Sequence, residues 1–240
     1  MALANHLYFL IILVLLLGMP GTLYIVATPI GNLEDITLRA LATLKAADRV
    51  LCEDTRVTKK LLDHFGITTP TASYHQHSEG KKKLEIRNLL EQGKNIALVT
   101  DAGTPGISDP GNELIEFIVH SSEFRGMVVP VPGASAVTAA LSVCGFPTDK
   151  FLFLGFPPHK NKRKKFFEEV RGAKRTVALY ESSHRIKKTL GELSQILPSE
   201  TKVCVCRELT KKFETTYRGT MAEIRETAIP EKGEFVIIIS

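Results

Sequence analysis

LVTDAGTPGISDPG occupies residues 98–111, and an apolar run over residues 96–99 leads into it. That run is short, aliphatic and bounded by turn formers, which fits a buried strand. The polar part carries three glycines (Gly103, Gly106, Gly111) and two prolines (Pro105, Pro110). Glycine admits positive φ and close backbone approach, and proline fixes φ. The mixture describes a rigid loop that brings N–H and C=O groups up to a ligand, not a slack linker. Apolar spacing resumes at Leu114, Ile115, Ile118 and Val119, so a helix begins at about Pro110. In open α/β sheets ligands lie outside the carboxyl ends of strands, where such a loop falls. An ordinary tight strand-to-helix connection is the plain alternative.

The same alternation extends to either side. LYIVA (residues 23–27) is a strand that runs into the Pro/Gly turn TPIGNLEDIT, and Asp35 or Thr37 caps a helix with Leu38, Leu41 and Leu44 on its apolar side. RVLC (49–52) is a short strand ending in Glu53, Asp54, Thr55 and Arg56. The next helix has Val57, Leu61 and Phe65 on one side and Gly66 at its C-terminus. Residues 71–74 form another strand, ending in His75-Gln76-His77-Ser78. A helix that begins with Lys81, Lys82 and Lys83 then closes at Gly93. Strand and helix alternating in this way predict a mostly parallel sheet with helices on both faces. Polar loops at four strand ends suit one functional edge.

After the strand at residues 128–131 comes Pro132-Gly133-Ala134-Ser135-Ala136 and a small-residue helix to Cys144. The texture then changes. FLFLGF (151–156), residues 175–181, 202–207, 213–218 and 234–239 read as strands with fewer helices between them. The pattern predicts a second α/β domain, more antiparallel, beginning near Val131.

With 44% hydrophobic and 24% charged residues over 240 positions, the chain has a folded composition, not a disordered one. A net charge of +5 is compatible with a nucleic-acid partner without establishing one. Cys52, Cys144, Cys204 and Cys206 form no C-x-x-C pair, so a zinc site is not expected and reduced thiols in a cytoplasm are. Cys204 and Cys206 face the same side of one strand. The apolar run at residues 7–17 is too short to span a membrane, which takes about 20 residues. The leading reading of residues 1–18 is an extension upstream of a second start at Met19, and a weak membrane-directing segment is the runner-up.

Glu53, Asp54 and Arg56 suit the positioning of a substrate hydroxyl, or equally a solvated helix N-terminus favoured by the dipole. His75 and His77 lack a third ligand at metal spacing. Lys160, Lys162, Arg163, Lys164 and Lys165 suit phosphates, or a merely solvated face. The absence of G-x-G-x-x-G, Walker and G-x-S-x-G patterns argues against a dinucleotide enzyme, an NTPase and a serine hydrolase.

The ordered set of loops carries a resemblance. It runs LYIVATPIGNLEDITLRAL, CEDTRVTKKLL, SYHQHSE, LVTDAGTPGISDPG, VPGASAVTAAL, GFPP, LYESSHR, RELTKKFETTYRGT and GEFVIII. This set resembles the ribosomal-RNA cytidine 2′-O-methyltransferase branch of the tetrapyrrole methylase superfamily, over residues 21–240. Two features depart from that pattern: the apolar N-terminal stretch, and the chain's end after GEFVIII, where many members continue into a helical tail. The resemblance implies two α/β domains, residues 19–130 with a mostly parallel sheet and 131–240 with a mixed one. It implies S-adenosylmethionine in the cleft between them, a homodimer, and methylation of a cytidine ribose 2′-hydroxyl in the decoding region of 16S ribosomal RNA, with no metal. By position it implies cofactor contacts from Pro29, from Ala102, Gly103, Thr104 and Ile107, from Ser135 and Ala136, and from Tyr180. Asp54, Glu53 and Glu181 are the carboxylates on matching loops that qualify as general base, in no settled order. Arg56, His75, Lys162, Arg163 and Lys164 are the candidate RNA contacts, Arg56 as a bidentate phosphate ligand. Two other readings are a methyltransferase acting on a corrin-type small molecule and a non-catalytic RNA-binding module. The basic runs and the DAGTPGISDPG form of the loop, where the small-molecule branch reads GGDP, stand against the first. The Pro/Gly loops stand against the second.

Overall fold

A computed structural model describes residues 19–75, 80–121 and 126–240. The N-terminal extension and His77 lie outside the described residues. The chain divides into two compact units, the second formed by residues 30–32 and 135–240.

In the first unit, strands β1 (Thr22–Val26), β2 (Arg49–Cys52), β3 (Thr71–Ser73), β4 (Ile96–Leu98) and β5 (Met127–Val131) form one sheet in the order β3-β2-β4-β1-β5. Every neighbouring pair is parallel. Between the strands lie helices α1 (Leu38–Ala46), α2 (Thr55–His64), α3 (Gly80–Glu91) and α4 (Asn112–Val119). The chain moves across the sheet in one direction from β1 to β3 and returns in the other from β3 to β5. Right-handed crossovers then require α1 and α2 on one face and α3 and α4 on the other. The cores agree. Ala40, Leu44 and Leu62 pack with Val26, Val50, Ala97 and Val99, whereas Ile86, Leu90, Leu114 and Ile118 pack with Leu23, Leu51, Ile96 and Leu98. Val131 ends this sheet, paired with Val26, so it does not open the second unit.

Two helix faces differ from the sequence reading. Helix α2 buries Thr58 and Leu62, and Val57 is 40% exposed. Helix α1 buries Ala40 and Leu44, and Leu38 is 86% exposed. Leu38 and Val57 stand in the first turn of their helices, set by the caps Thr37 and Asp54, at the loop edge beyond the sheet. At the opposite edge Gly21 enters β1 so close to the α3–β4 turn that a Cβ would fall 1.9 Å from the Lys94 carbonyl.

The second unit has strands β6 (Phe151–Gly155), β7 (Thr176–Ser182), β8 (Lys202–Arg207), β9 (Thr215–Thr220) and β10 (Glu234–Ile239), in the order β6-β7-β10-β8-β9. Only β6 and β7 run parallel, so the sheet is mixed. Alternate residues feed two cores. Val177, Leu179, Val203, Val205 and Ile237 meet helices α6 (Arg163–Gly172), α7 (Ile186–Ile196) and α8 (Met221–Glu226). Ala178, Cys204, Cys206, Val236 and Ile238 meet α5 (Ala136–Cys144). The Cys204 and Cys206 sulfurs share a side, 3.8 Å apart.

Candidate functional site

In the first unit the direction of travel reverses between β1 and β4, which are adjacent. Their following loops leave in opposite directions, and such a switch point opens a crevice at the strands' carboxyl ends. The loops after these two strands are joined by a two-residue ladder. Thr28 N–H donates to the Gly103 carbonyl at 2.9 Å, and Gly103 N–H donates back to the Thr28 carbonyl at 3.1 Å. The Thr28 hydroxyl adds a bond to the Thr100 carbonyl at 3.1 Å. Gly103 has φ +83, a left-handed conformation that a side chain disfavours.

The rest of residues 101–111 is equally determined. Gly106, Ser108 and Gly111 all have positive φ. Asn112 Nδ2 donates to the Gly106 carbonyl at 2.9 Å, and Thr104 Oγ1 donates to the Ala134 carbonyl at 3.1 Å. Ala102 and Ile107 are exposed, whereas Gly103 is buried. The sequence-assigned cofactor residues of this loop therefore share one rigid turn at the switch point. Pro29, directly after Thr28, is buried.

The loop after β2 brings carboxylates to the same edge. Asp54 caps α2, accepting from Arg56 N–H at 2.8 Å. It also takes the Arg56 fork, Nε at 3.1 Å and Nη2 at 2.7 Å. These bonds from Arg56 hold the Asp54 carboxyl at about 2, so it is a weak proton acceptor. The Arg56 fork, assigned to a phosphate on sequence grounds, is engaged by Asp54. Asp101 accepts the Asp54 N–H at 3.2 Å. Asp109, on the central loop, is the opposite case: burial first, then the charges of Glu53 and Asp101, push its carboxyl up to about 6. The sequence reading does not single out Asp101 or Asp109, although both lie in the stretch it starts from. His75 lies two residues beyond β3, its Nε2 2.9 Å from Ser73 Oγ.

In the second unit Ser135 is the N-cap of α5 and Ala136 its first residue. Tyr180 lies on the α5 side of the sheet, and its hydroxyl accepts the Val137 N–H at 3.1 Å. Its ring meets Phe153 and Phe156 edge-on, at 4.8 and 5.4 Å. Glu181, one residue on, points to the opposite face by the strand's two-residue period. Its side chain is fully buried and bonded to Arg185, Thr189 and Ser182. The general-base assignment of Glu181 is corrected on this ground: both its oxygens are committed inside the unit.

Arg163 is also corrected. It is 7% exposed and bonded to Glu192, Thr189 and the Pro158 carbonyl, so it is not a surface cation. Its helix has a buried face of Arg163, Phe167 and Val170, so the basic segment is not all a solvated face. Lys162 and Lys164 are exposed. Among the described residues no group of His, Cys, Asp and Glu is placed to hold a metal, and no helix is long and apolar enough to cross a membrane.

A doubly wound parallel unit with a glycine-rich loop pinned at its switch point, and a mixed-sheet unit following it in the chain, define an α/β protein of the ligand-binding class. The chain belongs to the Tetrapyrrole (Corrin/Porphyrin) Methylases, whose sequence pattern matches residues 22–225. It is 49% identical over 224 residues to Ribosomal RNA small subunit methyltransferase I of Halalkalibacterium halodurans, covering 91% of this chain and 75% of that protein. The protein of the same name from Synechocystis is 47% identical over 227 residues, covering 92% and 79%. That from Leptospira biflexa is 45% identical over 224 residues, covering 92% and 91%. Among solved structures, a diphthine synthase superposes with a TM-score of 0.69 at 12% identity, covering 92% of this chain and 90% of that one. A cobalt precorrin-4 methyltransferase superposes with 0.64 at 21% identity, covering 90% and 94%. At those identities the structures speak for the fold alone.

Proposed function

We propose that this protein is an S-adenosylmethionine-dependent methyltransferase acting on the ribose 2′-hydroxyl of a cytidine in the decoding region of 16S ribosomal RNA. The observation that carries the substrate class is the 45–49% identity to proteins named for small-subunit ribosomal RNA, over nine-tenths of the chain. The corrin reading has the family's name and structural neighbours at 21% identity or less on its side.

The switch-point loop fits the cofactor. It offers exposed Ala102 and Ile107 on a backbone fixed by positive-φ residues, so a ligand meets a shaped main chain with one small and one apolar side chain beside it. Ala102, Gly103, Thr104 and Ile107 hold S-adenosylmethionine there, beside Pro29, and Ser135, Ala136 and Tyr180 are proposed as further contacts. When bound, the cofactor supplies an electrophilic methyl group. The chain's own task is to fix the hydroxyl in line and accept its proton. In-line positioning supplies much of the rate. A proton acceptor works best when its pKa lies near the working pH. Asp109, at about 6, meets that condition and Asp54, at about 2, does not. The assignment therefore moves from Asp54 to Asp109, with Glu53 as its charged neighbour. Lys162, Lys164 and His75 contact RNA phosphates, and shape selects the nucleotide. A cytoplasmic homodimer completes the reading, and light scattering tests the dimer. Methyl transfer to small ribosomal subunits, compared with a precorrin and with no substrate, tests the function.

A further inference from the structure

Five side chains form a continuous polar chain on the α6–α7 side of the second sheet. Arg163 Nη2 meets Glu192 Oε2 at 2.5 Å and donates to Thr189 Oγ1 at 2.8 Å. Thr189 Oγ1 donates to Glu181 Oε2 at 2.6 Å, and Glu181 Oε1 pairs with Arg185 Nε at 3.0 Å. Two carboxylates and two guanidiniums neutralise one another. A buried ionic network is weak evidence for stability, because apolar residues of similar volume often serve as well. Its effect here is geometric. The free arms of both arginines reach consecutive backbone carbonyls: Arg185 Nη1 donates to Pro157 at 2.7 Å, and Arg163 Nη1 donates to Pro158 at 2.8 Å.

Prolines have no N–H, so these carbonyls are the handles by which this stretch is held. Beyond them Lys162 adopts φ +64, a left-handed conformation that a lysine keeps only where its surroundings impose it. The turn leaves Lys160, Lys162 and Lys164 exposed, Lys164 at 93%.

We propose that Glu181, Thr189, Arg163 and Arg185 are positioning residues for RNA binding, holding residues 157–162 in one shape so that Lys160, Lys162 and Lys164 meet backbone phosphates as a fixed set. This rests on the reading that RNA is the substrate. Preorganisation lowers the ordering cost of binding without changing how many phosphates are neutralised. Thr189→Val and Arg185→Lys should therefore weaken binding to small-subunit RNA about tenfold, with the log–log salt slope unchanged. Hydrogen exchange in residues 157–165 should quicken, while the methyl-transfer rate at saturating RNA stays as in the wild type. Thr189→Ser keeps the hydroxyl relay and should restore binding. Changing Lys160, Lys162 and Lys164 together to Ala should instead flatten the slope, by about 0.7 per lost single-strand contact.

If Thr189→Val misfolds, Arg185→Lys, which keeps the charge, carries the test. Faster exchange with unchanged RNA affinity overturns the positioning role, as does a flattened slope in the network variants. If the triple lysine variant binds like the wild type while methyl transfer to ribosomal RNA persists, the surface assignment fails and the RNA reading stands. A wild-type protein that transfers no methyl group to ribosomal RNA overturns both.

Discussion

Asp109→Asn removes a carboxylate that its surroundings hold well above its ordinary range. Burial and the charges of Glu53 and Asp101 raise its pKa from 3.8 to about 6. A displacement of about two pH units, at about 1.36 kcal/mol each, sets a ceiling near 3 kcal/mol. Asp109 is partly exposed, and solvent screening reduces that to about 1–2 kcal/mol. The sign follows from proton binding. A raised folded pKa means the folded state binds the proton more tightly than the unfolded chain, so the contribution is fully present below pH 3.8 and is lost as pH rises through about 6. Asparagine lacks the titration. Urea unfolding at pH 3.5 to 8 should show the wild type losing stability relative to Asp109→Asn across that window, with the difference level above about pH 7. Single-turnover methyl transfer by the same variant should fall about 10²–10⁴-fold. A stability difference that does not vary with pH would refute the electrostatic account of Asp109, and a wild-type rate would refute its chemical role.

Asp54→Asn should leave the saturated methyl-transfer rate near wild type, because Arg56 already suppresses its basicity; a loss matching that of Asp109→Asn in the same assay would return the role to Asp54. Gly103→Val forces a branched side chain into φ +83, at a cost of about 1–3 kcal/mol, and should abolish S-adenosylmethionine binding by calorimetry while far-ultraviolet circular dichroism is retained. Gly21→Ala drives a Cβ onto the Lys94 carbonyl and should cost about 1–3 kcal/mol in urea unfolding, with cofactor affinity unchanged. Leu62→Ala should cost about 2–5 kcal/mol, and Val57→Ala within about 0.5 kcal/mol; comparable losses would contradict the inward face assigned to α2.

The first sheet was legible because its strands are short aliphatic runs and its turns are marked by Gly and Pro. Gly103 was legible for the same reason: a glycine in a polar loop at a strand end signals positive φ. Periodicity was less informative at helix starts. Val57 and Leu38 continue an apolar spacing, but each sits in a first turn that projects beyond the sheet, and only the tertiary frame shows that. Glu181 and Arg163 failed differently. Both are charged residues next to loops, which reads as surface, yet each lies on a strand or helix face turned inward, and Thr189 and Glu192, 8 and 29 residues away, are among their partners. Asp109 was in view from the start, but one of the charges that act on it, Glu53, comes from a segment far away in the chain.

The central claim is methyl transfer to a ribose in small-subunit RNA. It is tested most directly by incubating the purified protein with S-adenosylmethionine and small ribosomal subunits from cells lacking the gene, then mapping the RNA by nuclease digestion and mass spectrometry. The account predicts one added methyl group on the ribose of a single decoding-region cytidine, absent when Gly103→Val replaces the wild type. Methylation on a base, at scattered nucleotides or not at all would contradict it.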